Sequence, residues 1–268
     1  MKGQLAGQLA VAGVQIDCAW EDPATSFERA APLLEAAAAG LLAAYGSATP
    51  RLLVLPELFA TGFSMQAEAM AAHHDAIAAF CQTSAQRLGV HLLAGLVEPG
   101  APRPRNCAAL FGPDGALAGR YRKRHLFGFG GETGHYAPGT DALPAFDLGG
   151  VRVRPLICYD LRFVEEFRAV ADETDLYCVL ANWPEPRWEH WATLLRARAI
   201  ECQAYVIGVN RVGEGGGLRY RGDSALIGPF GELLATAAAV PALVMGRVDA
   251  GEVAAVRART GFLRDRWA

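Results

Sequence analysis

Apolar residues along this chain alternate between short continuous runs and longer stretches with helical spacing. LAVAGVQID (9–17) and RLLVLPE (51–57) are runs of the first kind. The second is apolar up to Pro56-Glu57, as expected of a strand covered on both faces. Between them, TSFERAAPLLEAAAAGLLAAYG (25–46) reads as a long helix ended by Gly46. The rhythm continues with a helix over 67–88 stopped by Gly89, then a strand HLLAGLVE (91–98). NCAALFGPDGALAGRYRK (106–123) reads as a hairpin, because Gly112-Pro113-Asp114-Gly115 is turn chemistry between two apolar runs.

Segment 124–149 has no clear period and holds six glycines, so it reads as a long loop of the sort that often carries function. After it come a strand VRVRPLIC (151–158), a helix over 161–174 and a strand DLYCVLANW (175–183). The segment 189–205 has helical spacing through Trp191, Leu194, Leu195, Ala199 and Cys202. A strand VIGVNRVG (206–213), a hairpin over 225–236 around Gly228-Pro229-Phe230-Gly231, and a strand ALVMGRVD (242–249) complete the pattern. With no repeat, linker or shift in composition, residues 1–268 are expected to form one domain of α/β class, a mixed sheet flanked by helices.

Composition narrows the function classes. Of the 268 residues, 52% are apolar and 20% charged, which fits a buried core and excludes disorder. A formal charge of −3 offers no basic surface, so neither nucleic acid nor a membrane surface is an expected partner. The amino terminus, interrupted by Gln4 and Gln8, is a poor signal peptide, and the apolar stretch 31–45 carries Glu35 and is too short to span a bilayer. Six cysteines without close-spaced pairs suggest neither a disulfide framework nor a zinc site, but reduced thiols in a cytoplasm.

Three polar residues stand where apolar strands end: Glu57 after LLVLP, Lys123 after the hairpin, and Cys158 after RPLI. Ligands of open α/β sheets bind outside the carboxyl ends of strands, so side chains remote in sequence can converge there. A thiol, a base to take its proton and a cation for a developing oxyanion are the parts that covalent acyl transfer needs. Each residue also has an ordinary reading: a packed thiol, a solvated carboxylate, and one charge in the basic run Arg120–His125. Only their coincidence has force. Cys158 paired with His125 or His135 is a rival arrangement. His73-His74 point about 100° apart on a helix and cannot both serve one metal. Gly213-Glu214-Gly215-Gly216-Gly217 precedes no helix and reads as a flexible loop.

These segments resemble the motifs of the nitrilase (carbon–nitrogen hydrolase) superfamily. LVLPELFATGF is similar to its glutamate motif, GRYRKRHLF to its lysine motif and LICYDLRF to its nucleophile motif, in the family's order. The resemblance implies a four-layer α-β-β-α sandwich with mixed sheets, Glu57 as general base, Lys123 as oxyanion-stabilising cation and Cys158 as nucleophile. It also places an orienting glutamate at Glu132 in GGETGHYAPG. Within the superfamily, ANWPEPRWEHWATLLRARAIECQAYVIGVNRVG and YRGDSALI resemble the bacterial ω-amidases (2-oxoglutaramate amidases). Two positions depart from those relatives: Val164 stands where proline is common, and Cys202 where asparagine is usual.

The implied activity is hydrolysis of the terminal amide of a small dicarboxylic acid monoamide through a cysteine thioester, with no metal or organic cofactor. The backbone N–H of Tyr159 joins Lys123 at the oxyanion. Arg187 and Arg211, each beyond a strand end, are candidates to bind the substrate carboxylate as a planar fork. Another amidase of the superfamily, acting on a carbamoyl amino acid or a deaminated peptide amide, and a catalytically idle binding scaffold are the alternatives. The family's habit implies a homodimer or a higher homo-oligomer.

Overall fold

Two six-stranded sheets pack face to face, and helices cover their outer sides. This computed structural model describes residues 7–266; residues 1–6, where part of the signal-peptide reading falls, and residues 267–268 lie outside it. In chain order the strands are β1 (Gln8–Gln15), β2 (Arg51–Val54), β3 (His91–Glu98), β4 (Arg105–Phe111) and β5 (Leu117–Arg122), then β6 (Phe146–Asp147), β7 (Arg152–Ile157), β8 (Leu176–Ala181) and β9 (Tyr205–Asn210). After these come β10 (Val212–Gly215), β11 (Leu218–Arg221), β12 (Ala225–Ile227), β13 (Leu233–Thr236) and β14 (Ala242–Asp249). The helices are α1 (Pro23–Tyr45), α2 (Ala67–Ala71), α3 (His74–Leu88), α4 (Glu132–His135), α5 (Val164–Arg168), α6 (Trp188–Cys202) and α7 (Ala250–Thr260).

The sheets are ordered β14-β1-β2-β3-β4-β5 and β13-β12-β9-β8-β7-β6, with β10 and β11 as a separate ribbon. Parallel pairs β1–β2–β3 and β7–β8–β9 form the centres, and antiparallel strands form the edges, so both sheets are mixed. Side-chain alternation fixes the layers. Leu9 and Val11 of β1 join the core between the sheets, while Ala10, Ala12 and Val14 pack under Leu34 and Leu41 of α1 and Ile77 of α3. A one-residue slip of β1 would exchange the two faces. At Gly13 the sheets approach so closely that a Cβ would sit 2.8 Å from Val209. Trp191, Leu195 and Ala199 of α6 cover the far side of the second sheet. The result is the four-layer α-β-β-α sandwich.

Several elements differ from the pattern in the sequence. Helix α1 begins at Pro23, because the Asp22 carboxylate caps it through the Thr25 N–H at 3.1 Å. The stretch 67–88 is two helices, α2 and α3, and His74 Nδ1 at the junction bonds the Val97 carbonyl at 2.9 Å. The helix expected over 161–174 is a 3-10 turn at Cys158–Arg162, the short α5, and another turn at Ala171–Glu173. The glycine run 213–217 is a paired hairpin rather than a flexible loop: Cβ atoms at Gly213, Gly215 and Gly216 would strike Asp17 or Trp20. The α7 helix, capped by Asp249 onto the Gly251 N–H at 2.8 Å, has no counterpart in the pattern. Among the described residues, no helix is long and apolar enough to cross a membrane.

Candidate active site

Glu57, Lys123 and Cys158 leave β2, β5 and β7 at one end of the sandwich, and the first two are brought into direct contact. Pro56 and Leu58 turn the chain sharply after β2; Leu58 takes φ +43°. This turn lies so close to β3 that a Cβ on Gly95 would meet the Glu57 Cα at 2.5 Å, which is why β3 needs glycine there. Cys158 takes φ +45°, a left-handed conformation that costs a non-glycine residue about 1–3 kcal/mol and is held only when neighbours impose it.

The Glu57 carboxylate is wholly buried, and polar groups surround it. Its Oε1 accepts from Lys123 Nζ at 2.8 Å and from Asn106 Nδ2 at 2.7 Å, and its Oε2 from the Asn182 N–H at 2.7 Å. The Asn182 side chain donates to the Glu57 carbonyl. Glu132, at the start of α4, is equally buried; it accepts from Lys123 Nζ at 3.1 Å, from Asn106 Nδ2 at 3.1 Å and from the Phe127 N–H at 2.6 Å. One ammonium thus stands between two carboxylates. Burial opposes its charge, but Glu132 and Glu57 outweigh that and hold Lys123 well above its ordinary value.

Of the six free cysteines, five are buried and Cys158 alone is part-exposed. The buried Cys18 and Cys202 thiols are pushed up to about 11, chiefly by burial, and read as inert packing. Cys158 also lies well above the usual thiol range, through burial and the negative charge of Glu57, with Lys123 pulling the other way. At rest it is therefore a neutral thiol beside a carboxylate and an ammonium. Its Sγ lies 3.9 Å from the Asn182 carbonyl. Tyr159 is the second residue of the 3-10 turn, so its N–H has no acceptor within that turn.

Cys158 and Tyr159 face a cavity of about 360 Å³, walled by Trp20, Phe63, Phe127, Trp183 and Tyr220. Arg187 lines it, with its guanidinium 5.2 Å from the Phe127 ring centre. Arg211 does not line it. That side chain is wholly buried, bonded to the Val212 and Glu214 carbonyls and to Asp17 at 3.1 Å, and stacked on Tyr220. The strand-end rule fails at Arg211 because Asp17 and the β10 carbonyls draw the guanidinium into the wall. Arg162 takes its place at the cavity, over the Trp183 ring at 4.8 Å and donating to His190 Nδ1 at 3.1 Å. Among the described residues, neither Arg162 nor Arg187 is ion-paired to a carboxylate. Reading Arg162 as part of a motif, four residues past the cysteine, would have flagged it.

Neither rival histidine is placed as a base for the thiol. His125 Nε2 bonds Glu166 at 2.8 Å with its ring stacked on Phe163, and His135 is exposed at the end of α4. Among the described residues, no group of three or more His, Cys, Asp or Glu side chains is arranged to hold a metal ion. A thiol, a buried carboxylate and an ammonium at an aromatic-walled pocket form a site suited to acyl transfer.

Comparison with known proteins agrees with that class. The carbon–nitrogen hydrolase family matches residues 8–258, and the chain belongs to that family. It is 44% identical over 200 residues to the ω-amidase YafV of Escherichia coli K12, covering 74% of this chain and 76% of that one. It is 35% identical to the 2-oxoglutaramate amidase of Bacillus subtilis, over 77% of this chain and 81% of the other. Among solved structures, the CN-hydrolase superfamily protein XC1258 of Xanthomonas campestris superposes with a TM-score of 0.87 at 35% identity, covering 97% and 98% of the two chains. An amidase of Nesterenkonia sp. AN1, whose variant carries a covalent acetamide moiety on its active-site cysteine, gives 0.80 at 26% identity over 97% and 94%.

Proposed function

We propose that this chain is an ω-amidase-type enzyme that hydrolyses the terminal amide of a small dicarboxylic acid monoamide, of the 2-oxoglutaramate or 2-oxosuccinamate type. The observation that carries this is the contact of Lys123 with both Glu57 and Glu132 beneath Cys158, below a cavity holding two arginines free of carboxylate partners among the described residues. The relatives named for ω-amidase and 2-oxoglutaramate amidase activity support the substrate class.

In this reading Glu57 takes the thiol proton as Sγ attacks the amide carbon. Lys123 and the Tyr159 N–H stabilise the oxyanion, each such donor lowering the barrier by roughly 3–4 kcal/mol. Glu57 then protonates the departing ammonia and later activates the water that cleaves the thioester. Glu132 orients Lys123. The neutral resting thiol explains why the chemistry needs a base beside it rather than a preformed thiolate. Arg187, with Arg162, receives the carboxylate remote from the amide.

The test is ammonia release from a panel of amides. Cys158→Ala should abolish turnover of 2-oxo acid amides and Glu57→Gln should cost several orders of magnitude; near-normal release from either would end the proposal. Preference for a carbamoyl amino acid would replace the substrate class but keep the chemistry. We also propose a homodimer. Exposed Ile200, Phe230 and Leu234 gather about the Gly228–Gly231 turn and supply an apolar surface for it. Sedimentation at the mass of a single 28.5 kDa chain would contradict that.

A further inference from the structure

Lys123 reaches the site from a segment whose two flanking residues are tied to one carboxylate on the nucleophile turn. Tyr121 donates its hydroxyl to Asp160 Oδ2 at 2.8 Å, and the His125 N–H donates to Asp160 Oδ1 at 3.0 Å. Asp160 Oδ2 also accepts the Ile157 N–H at 2.9 Å, immediately before Cys158. The Arg124 N–H donates to the Tyr121 hydroxyl at 3.3 Å. Asp160 and Tyr121 are both buried, and neither lines the cavity. A single side chain therefore spans the strained Cys158 turn on one side and residues 121 and 125 on the other.

From this geometry we infer that Asp160, with Tyr121, is a positioning unit that fixes the separation between the Cys158 thiol and the Lys123 ammonium. Neither residue touches substrate. Without the clamp, the left-handed Cys158 turn loses the acceptor for the Ile157 N–H, and the lysine segment is free to slide along the end of β5. A misplacement of about 1 Å is enough to cost on the order of a hundredfold in rate. This inference rests on the proposed roles of Cys158 and Lys123.

Tyr121→Phe keeps the ring and removes only the bridging hydroxyl. Asp160→Asn keeps the shape but turns one of the two acceptor oxygens into an amide NH2, so either the Ile157 N–H or the His125 N–H loses its acceptor and one side of the clamp opens. Ammonia release and iodoacetamide alkylation of Cys158 are measured across pH, together with thermal melting. Tyr121→Phe should lower kcat about tenfold and Asp160→Asn about a hundredfold, with KM within twofold of the unmodified protein. The pH of half-maximal alkylation should rise in both, because the ammonium no longer sits where it favours the thiolate. Should Asp160→Asn fail to fold, Tyr121→Phe alone decides. If melting falls in Tyr121→Phe while kcat and the alkylation midpoint stay put, the pair is merely structural and the inference is wrong. If the unmodified protein releases no ammonia from any amide, the fault lies instead in the proposed function.

Discussion

Replacing Lys123 by methionine removes an ammonium and little volume, and the surrounding charges set the size of the effect. Nζ lies 2.8 Å from Glu57 Oε1 and 3.0 Å from Glu132 Oε2, with all three side chains wholly buried. At an effective dielectric of about 20, each contact is an attraction on the order of 6 kcal/mol, but most of it offsets the desolvation of the three charges. The measurable loss on truncating one partner of such a pair is about 3–5 kcal/mol, because the charges left behind are buried without compensation. In a chain of this size each kcal/mol moves the melting temperature by roughly 2–4 °C, so Lys123→Met should melt roughly 10 °C lower. The rate suffers separately. Loss of one oxyanion donor costs about 10²–10³ in kcat, and a Glu57 that has lost its cation is also a disturbed base. Ammonia release from a 2-oxo acid amide, measured below the melting transition, separates the two effects. Turnover within tenfold of the unmodified protein, with an unchanged melting temperature, would refute the reasoning.

Two further outcomes are expected. Arg162→Met and Arg187→Met should each raise KM for an anionic 2-oxo acid amide by about tenfold or more while leaving a neutral amide unaffected, since a guanidinium–carboxylate hydrogen bond contributes roughly 1.5–3 kcal/mol; equal KM values for both substrates in Arg187→Met would remove it from the carboxylate site. Burial lifts the Asp160 carboxyl from 3.8 to about 6, against the opposing pull of the Ile157 N–H and the Lys123 charge. A folded value raised above the unfolded one gives stability that is present below about pH 4 and lost as pH rises through about 6. The stability of the unmodified protein relative to Asp160→Asn should therefore fall by about 2 kcal/mol from pH 4 to pH 7, read by denaturant titration; a flat difference would contradict it.

Which features are legible in the sequence depends on where their determinants lie. Glu57, Lys123 and Cys158 each close an apolar run, and a strand end is a local signal that one-dimensional reading detects. The strands around them can be placed to within about three residues because alternation and turn residues are local too. The features that stay hidden depend on partners remote in sequence. The break between α2 and α3 carries no glycine or proline; it is set by where His74 meets Val97. The stretch after Cys158 has helical spacing, yet the Asp160 side chain takes the Ile157 and His125 N–H groups, and Arg198 caps the Leu161 carbonyl at 2.9 Å, so tertiary bonds tighten it into 3-10 turns. Arg211 and Arg162 show the same limit from the other side. Both are arginines near strand ends, and Asp17, a residue from the start of the chain, together with the Val212 and Glu214 carbonyls decides which one is pulled into the wall. Asn106 and Asn182 carry no sequence signal for a simple reason: an asparagine in an apolar strand or at its end has no distinctive spacing, and its role appears only when the carboxylate it serves is beside it.

Trapping the acyl group gives the most direct test. A 2-oxo acid amide is mixed with the protein, quenched in acid within the first turnover, and the digest is searched by mass spectrometry for an acylated cysteine. The adduct should sit on the peptide containing Cys158, appear before ammonia release reaches its steady rate, and be absent from the Cys158→Ala variant. Ammonia released with no acyl group on that peptide, or with one on Cys18, Cys81, Cys107, Cys178 or Cys202 instead, would mean that the sulfur at the end of β7 does not attack the amide.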